Sequence, residues 1–476
     1  MFFRMIYDEK LAQAAYLIGC QETGDAIVID PQRDVDRYLA IAAKERLRII
    51  AATETHIHAD FLSGVRELSE RAEAKVYLSD EGDADWKYQW PNGTTGGRSY
   101  EHQLIRDGDV FHIGKIEFKA LHTPGHTPEH ICFLVTDRGS GAAEPMGVAT
   151  GDFVFVGDLG RPDLLETAVG KTGASDSAAR RLYQALGKIK ALPDWLQVWP
   201  GHGAGSACGK ALGAVPQSTL GYERRFNSAI QAAVNEKSFL QFILQGQPEP
   251  PLYFARMKDQ NKSGPRILGE LPRPAALGPD ELLKLDTRNV TLIDTRSWAA
   301  FRAGHVPGAL YCPLNNAFST DIGSMAEENA EIYLIVDASR VEEAVRDLVR
   351  IGLDRVIGYF EPSSVEQYAS RGGRMVSTTE VGAKEALDLM EREKAIVLDV
   401  RRASEFVDGH LDGAINIAHT RLAGRLRDVP KGRQVLVNCR SGGRSARACS
   451  LLQRNGFEVA NLEGGYEAWL NAQARV

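Results

Sequence analysis

A chain of 476 residues exceeds what one hydrophobic core usually serves, and 43% hydrophobic with 25% charged residues is the composition of soluble globular protein. A net charge of −7 with no long basic run argues against nucleic acid or anionic membrane as main partner, and no stretch approaches the roughly 18 apolar residues of a membrane span. The six cysteines (20, 132, 208, 312, 439 and 449) lack the paired spacing of a disulfide framework or zinc knuckle, and the first ten residues lack the zones of a secretory signal, so a reducing cytoplasm is expected.

Over the first ~260 residues, short β-rich runs alternate with polar turns and helical stretches; residues 26–31, 47–52 and 116–121 are examples. The run ending at Thr53 leads into Thr55-His56-Ile57-His58-Ala59-Asp60-Phe61. Leu121-His122-Thr123-Pro124-Gly125-His126 follows, then Val148-Ala149-Thr150-Gly151-Asp152, and finally Val198-Trp199-Pro200-Gly201-His202. Each is an apolar strand delivering a His or Asp at its carboxyl end, where active sites gather in layered α/β folds. Singly, each residue suits a turn or cap. Four in the order H-x-H-x-D, TPGH, TGD and PGH point to a metal site. His122 and His130 do not follow the Thr-Pro-Gly turn and are expected to be structural.

Two loops near these motifs carry further chemistry. Gly157-Asp158-Leu159-Gly160-Arg161-Pro162-Asp163 presents a guanidinium able to face an anion, and Cys208 lies six residues beyond His202, where a thiol could receive or hold sulfur. Ser263-Gly264-Pro265-Arg266 through Pro272-Arg273-Pro274 is linker chemistry, and Arg371-Gly372-Gly373-Arg374 marks a second break. Between and beyond these breaks the chain repeats itself. Shifting by 105 residues sets Asp294-Thr295-Arg296 on Asp399-Val400-Arg401, Phe301 on Phe406, Gly304-His305 on Gly409-His410 and Gly308-Ala309 on Gly413-Ala414. This period is too long for a solenoid and indicates a duplicated domain. Three domains are expected, at 1–262, 275–375 and 376–476.

In the last domain the buried run Gln434–Asn438 leads into Cys439-Arg440-Ser441-Gly442-Gly443-Arg444-Ser445, and a helical pattern follows. A glycine-rich loop between strand and helix turns successive N–H groups inward as an anion nest, and the helix terminus adds positive potential. With Arg440 and Arg444 beside it, Cys439 has the surroundings of a nucleophilic thiolate. The spacing C-x4-R is one residue shorter than a phosphatase loop, too tight for a tetrahedral phosphate. Cys449 falls within the helix and is expected in the core. In the preceding repeat the matching run, Tyr333–Asp337, enters Ala338-Ser339-Arg340-Val341, with no cysteine and no glycine loop.

The first set of motifs resembles the metallo-β-lactamase superfamily, an αββα sandwich, over the whole first domain. Two-metal members place a His directly after the Asp of H-x-H-x-D; here Phe61 stands there, which favours a one-metal site. The persulfide dioxygenase branch is the most similar, and the resemblance implies a single Fe(II) held by His56, His126 and Asp152. His58, Asp60 and His202 are then expected behind the ligands, with His58 an alternative direct ligand. Residues 157–163 are similar to the Gly-x-x-Gly-Arg-x-Asp loop of that branch, where the Arg lies near the thiol substrate; this suggests substrate binding for Arg161. Two imidazoles and a carboxylate leave open positions on Fe(II), whereas zinc hydrolases more often use three histidines.

The last domain resembles rhodaneses over its full length, α/β domains with a central parallel sheet. Asp399-Val400-Arg401, Phe406 to His410 and Asn461 to Trp469 carry the likeness. It implies Cys439 as sulfur acceptor and Arg440, Ser441, Gly442, Gly443 and Arg444 as its cradle. The middle repeat is then a silent rhodanese-like domain. The implied substrates are a thiol persulfide (of glutathione, coenzyme A or bacillithiol), O2 and sulfite or thiosulfate. A zinc thioester hydrolase of the glyoxalase II kind, fused to a sulfurtransferase, is the alternative. Oligomeric state is left open, a homo-oligomer included.

Overall fold

The computed structural model describes residues 1–93, 98–167, 173–392 and 394–474. The chain divides into two compact units, Met1–Glu270 with Val349–Ile351 and Leu271–Leu348 with Gly352–Val476. The break expected at 375–376 therefore falls inside the second unit.

The first unit is built on two six-stranded sheets. One holds, in spatial order, β1 (Phe2–Asp8), β2 (Gln13–Gly19), β3 (Asp25–Ile29), β4 (Arg48–Thr53), β5 (Lys75–Ser79) and β6 (His102–Ile105). The other holds β7 (Val110–Ile113), β8 (Ile116–His122), β9 (Ile131–Asp137), β10 (Gly147–Gly151), β11 (Gln197–Pro200) and β12 (Ser218–Thr219). Alternation decides the packing. In β8, Ile116, Phe118 and Ala120 enter an apolar layer with Tyr16, Ile27, Phe133 and Trp199, residues of both sheets, while Glu117 and Lys119 face the other way. Two further layers cover the outer faces. Tyr38 and Leu68, from helices Asp36–Lys44 and Val65–Ala72, pack with Leu17, Val28 and Val76, and Leu182, Leu186, Phe239 and Ile243 pack with Leu134, Val148 and Val198. Helix, sheet, sheet, helix is the expected αββα sandwich.

The second unit contains two five-stranded parallel sheets of one topology. The first is ordered β13-β17-β16-β14-β15, with β13 Ala275–Leu277, β14 Thr291–Asp294, β15 Leu310–Tyr311, β16 Ile332–Ile335 and β17 Val356–Phe360. The other is ordered β18-β22-β21-β19-β20, with β18 Thr379–Val381, β19 Ala395–Asp399, β20 Ile415–Asn416, β21 Gln434–Asn438 and β22 Val459–Leu462.

The repeated identities have one physical cause in both halves. Arg296 grips Asp294 and the Gly304 carbonyl, and Arg401 grips Asp399 and the Gly409 carbonyl. The rings of Phe301 and His305 stack at 3.8 Å and 10°, those of Phe406 and His410 at 3.8 Å and 13°. Among the described residues no helix is long and apolar enough to cross a membrane.

Candidate active site

The four expected motifs leave their strands at one end of the sandwich. His56 follows β4, His126 follows β8, Asp152 follows β10 and His202 follows β11. Parallel pairing sets Gly151 beside Pro200, so Asp152 and His202 emerge from adjacent strands. The turns need their glycines. Gly151 has φ +48°, and a Cβ there would lie 2.4 Å from Thr55 Oγ1; a Cβ on Gly201 would lie 2.7 Å from Asp152 Oδ1.

Oδ2 of Asp152 faces Nε2 of His126 at 3.4 Å and Nε2 of His56 at 3.9 Å. All three side chains are buried, and Oδ2 has no hydrogen-bond partner. A buried bare carboxylate oxygen is costly unless a cation satisfies it. The imidazoles are oriented to match. Nδ1–H of His126 donates to the Arg161 carbonyl at 2.9 Å. The Thr55 hydroxyl gives its hydrogen to Asp30, so its oxygen accepts from Nδ1 of His56 at 3.0 Å. Both Nε2 atoms therefore carry lone pairs, the tautomer a metal requires. Burial drives the pKa of His56 and of His126 below the ordinary imidazole value, which keeps them neutral. Two nitrogens and one oxygen thus fit a single divalent cation.

His202 bridges two carboxylates, with Nδ1 2.8 Å from Asp152 Oδ1 and Nε2 2.8 Å from Asp60 Oδ2. Burial opposes its charge, but Asp152 and Asp60 together raise its pKa well above the usual range. Burial would likewise raise Asp152, yet His202, His126 and His56 hold that carboxyl well below the ordinary value. His58 is held elsewhere. Its Nε2 lies 3.0 Å from Asp30, its Nδ1 has no partner, and its ring lies 4.4 Å from that of fully buried Phe61. The ligand atoms that converge are those of His56, His126 and Asp152, without His58.

Arg161 differs from a guanidinium open to substrate. It is 1% exposed, bonds Asp163 at 2.8 and 2.6 Å, and donates to the carbonyls of Ala207 and Pro248. Its carbonyl holds His126, so its visible work is positioning. Cys208 does enter the site. With Asp60 and His202 it forms a second buried group of ligand-type atoms, and burial, then the charges of Asp152 and Asp60, push its thiol pKa well up.

Sequence reasoning missed Asp30 and Glu129, and it left His130 as structural without placing it beside Asp152. Asp30, with φ +52°, accepts from Thr55 N–H and fixes His58. Nε2 of His130 accepts the Asp152 N–H at 3.0 Å; burial lowers its pKa to about 3, which keeps that nitrogen an acceptor. Glu129 accepts from Ile57 N–H. The positive φ of Asp30 just before Pro31 left no readable signal.

In the second unit Cys439 is 1% exposed at the end of β21. Gly442, at φ +97°, aims its N–H at Sγ from 3.1 Å, and Ser445 Oγ lies 3.4 Å away. The helix Gly443–Arg454 starts there. N–H groups of Tyr466 and Glu467 hold the carbonyls of Cys439 and Arg440 at 2.7 and 3.0 Å, fixing the loop from its far side. Both flanking arginines are paired. Arg444 binds Glu405 at 2.7 Å through two nitrogens, and exposed Arg440 binds Glu467 at 2.7 Å. Ser441, on the loop, and Gly443, the first residue of the helix, are exposed. Strand register puts Ile335 opposite Asp294 as Asn438 is opposite Asp399, so Val336 stands where the other half has Cys439.

Comparison with known proteins agrees with this division. The Metallo-beta-lactamase superfamily model matches residues 9–202, and the Rhodanese-like domain model matches residues 279–362 and 382–472. A solved metallo-beta-lactamase from Staphylococcus aureus subsp. aureus COL is 41% identical with a TM-score of 0.67, over 76% of this chain and 99% of that one. Persulfide dioxygenase ETHE1, mitochondrial, of Bos taurus is 27% identical over 42% of this chain and 68% of its own length. Hydroxyacylglutathione hydrolase of Francisella tularensis subsp. novicida is also 27% identical, over 42% of this chain and 66% of its own length. The chain spans 53% and 62% of the length of two further curated relatives.

Proposed function

Because the chain belongs to the metallo-β-lactamase superfamily and carries rhodanese-like domains, we propose that it oxidises a low-molecular-weight thiol persulfide to sulfite and free thiol and transfers sulfur through Cys439. The observation carrying this reading is the bare Oδ2 of Asp152 beside two bare imidazole nitrogens, with Phe61 in place of a further donor. Such a two-nitrogen, one-oxygen set suits one Fe(II) with open positions. Bound there, ferrous iron would supply open coordination positions and the redox chemistry for combining O2 with sulfur. Overall, persulfide, O2 and water give thiol, sulfite and two protons; the outer sulfur loses four electrons and O2 gains them.

The residues of the chain do the arranging. His202 fixes the Asp152 carboxylate and the His130 ring its backbone N–H, and the Arg161 carbonyl and Thr55 fix the imidazoles. Cys208 lies with Asp60 and His202, and its thiol, held protonated by burial and by the charges of Asp152 and Asp60, would have to give its proton to a base before it could receive sulfur. In the second activity, the Cys439 thiolate attacks the outer sulfur of thiosulfate. A new S–S bond forms, the old one breaks, and sulfite leaves with the electron pair. The Gly442 N–H and the helix terminus stabilise the resulting anionic persulfide, and a thiol or sulfite then takes the sulfur and restores the thiolate.

The second reading, a zinc thioester hydrolase, is favoured by the equal likeness to hydroxyacylglutathione hydrolase. Iron-loaded and zinc-loaded protein offered glutathione persulfide and an S-acylglutathione separate the two. Sulfite formed by the iron form alone, and only in oxygen, supports the proposal; thioester cleavage without oxygen by the zinc form, with no sulfite from either, contradicts it.

A further inference from the structure

The helix Gly443–Arg454 begins where the Cys439 loop ends, and one stripe of it is covered by the half of the unit that lacks the thiol. Ala446 packs in the apolar cluster of Leu292, Phe301 and Tyr311. Arg447 Nε lies 2.5 Å from Asp321 Oδ2, and Ser450 Oγ accepts the Tyr311 N–H at 3.0 Å. Arg454 donates to the carbonyls of Gly308 and Val290 at 2.6 and 2.9 Å. Positions 446, 447, 450 and 454 share a helix face, so this surface of the helix is given to the neighbouring half along its whole length.

Asp321 is the charged centre of that contact. It is 2% exposed, and its other oxygen lies 2.9 Å from His419 Nε2. His419 is tied by its own N–H to the Val400 carbonyl at 3.0 Å, next to the end of β19. Arg447 in turn donates to the Gly443 carbonyl at 3.1 Å, in the first turn of the helix. A single carboxylate therefore joins the first turn beside Cys439 to the segment that starts at His419. The half holding Asp321 has Val336 in place of the thiol. It has no thiol at that position and supplies the brace.

We infer that the half with Val336 in place of the sulfur-accepting thiol is a working part of sulfur transfer, with Asp321 as a positioning residue that aims the Gly442 N–H and the helix terminus at Cys439 Sγ through Arg447 and His419. The inference rests on the reading of Cys439 as sulfur acceptor. Held at 3.1 Å, the Gly442 N–H stabilises the anionic sulfur formed in the rate-setting step, and displacement of the first turn by a fraction of an ångström weakens that stabilisation more than it weakens capture of the donor.

The test uses the full chain, with thiosulfate as donor and cyanide as acceptor. Asp321→Asn and Arg447→Gln each lower kcat about tenfold while KM for thiosulfate stays within about twofold, and the double variant is no slower than either single one. Asp321→Glu restores most of the rate, and metal bound per chain is unchanged throughout. Unaltered kcat in Arg447→Gln overturns the inference, even where Asp321→Asn does not fold. So does a loss in kcat that Asp321→Glu fails to restore. A parent chain that turns over no thiosulfate overturns the reading of Cys439 itself, and the inference with it.

Discussion

Nδ1 of His202 lies 2.8 Å from Oδ1 of Asp152, and this contact decides which carboxylate oxygen is left for a cation. With Oδ1 occupied and the backbone N–H of Asp152 held by His130, Oδ2 faces the two Nε2 atoms. The proposed metal site is thus aimed by a residue that need not touch the metal. His202→Ala removes the aim and leaves Asp60 and Asp152 as unbridged like charges. Metal affinity, measured by competition with a chelator, falls about 10–100-fold. An unchanged affinity would contradict this account of Asp152.

Phe61 is fully buried against His58. Phe61→His supplies a nitrogen donor directly after Asp60, against His58, where the phenyl ring offers none. Metal content of zinc-loaded variant, read by elemental analysis, rises above one per chain. If it stays at one, Phe61 is not what limits the site to a single metal.

Gly151 couples backbone conformation to the same site. At φ +48°, with Thr55 Oγ1 and His130 Nε2 at 2.4 and 2.7 Å from a would-be Cβ, Gly151→Ala must displace residues that orient His56 and Asp152. The cost is about 1–3 kcal/mol in thermal unfolding, and metal retention falls in parallel. A variant with parental melting temperature and metal content would contradict the strain argument.

The Glu405–Arg444 pair gives a pH signature. Burial alone would raise the Glu405 pKa, but the bonds from Arg444 override it and lower the carboxyl from 4.5 to about 2. Because the folded value is the lower one, the pair's stabilisation is present above about pH 4.5 and is lost as pH falls through about 2. Urea unfolding at stepped pH should show parent and Glu405→Gln differing most above about pH 4.5 and converging below it. A constant difference across that range would show that the pair's ionisation contributes nothing.

The sequence carried the parts of the site that depend on local spacing. H-x-H-x-D, TPGH, TGD and PGH each follow or close an apolar strand, so the strand runs placed the motifs, and the family resemblance implied which side chains would meet. The shift of 105 residues anticipated two sheets of one topology, because Asp294–Arg296 and Phe301–His305 form contacts that recur at Asp399–Arg401 and Phe406–His410. What depends on distant partners was hidden. Arg444 and Arg440 read as free charges beside the thiol, yet Glu405 and Glu467 neutralise them from other elements. Arg161 read as a substrate contact, yet Asp163 and two carbonyls occupy it. His130 read as structural and is so, though its place is against Asp152 itself.

The most direct test of the central claim is oxygen uptake by the iron-loaded chain on addition of glutathione persulfide, with His126→Ala as control. The account predicts rapid uptake, one O2 consumed per sulfite formed, and loss of uptake in the variant. No uptake despite bound iron, with sulfur transfer at Cys439 intact, would contradict the dioxygenase and leave the metal site to hydrolysis.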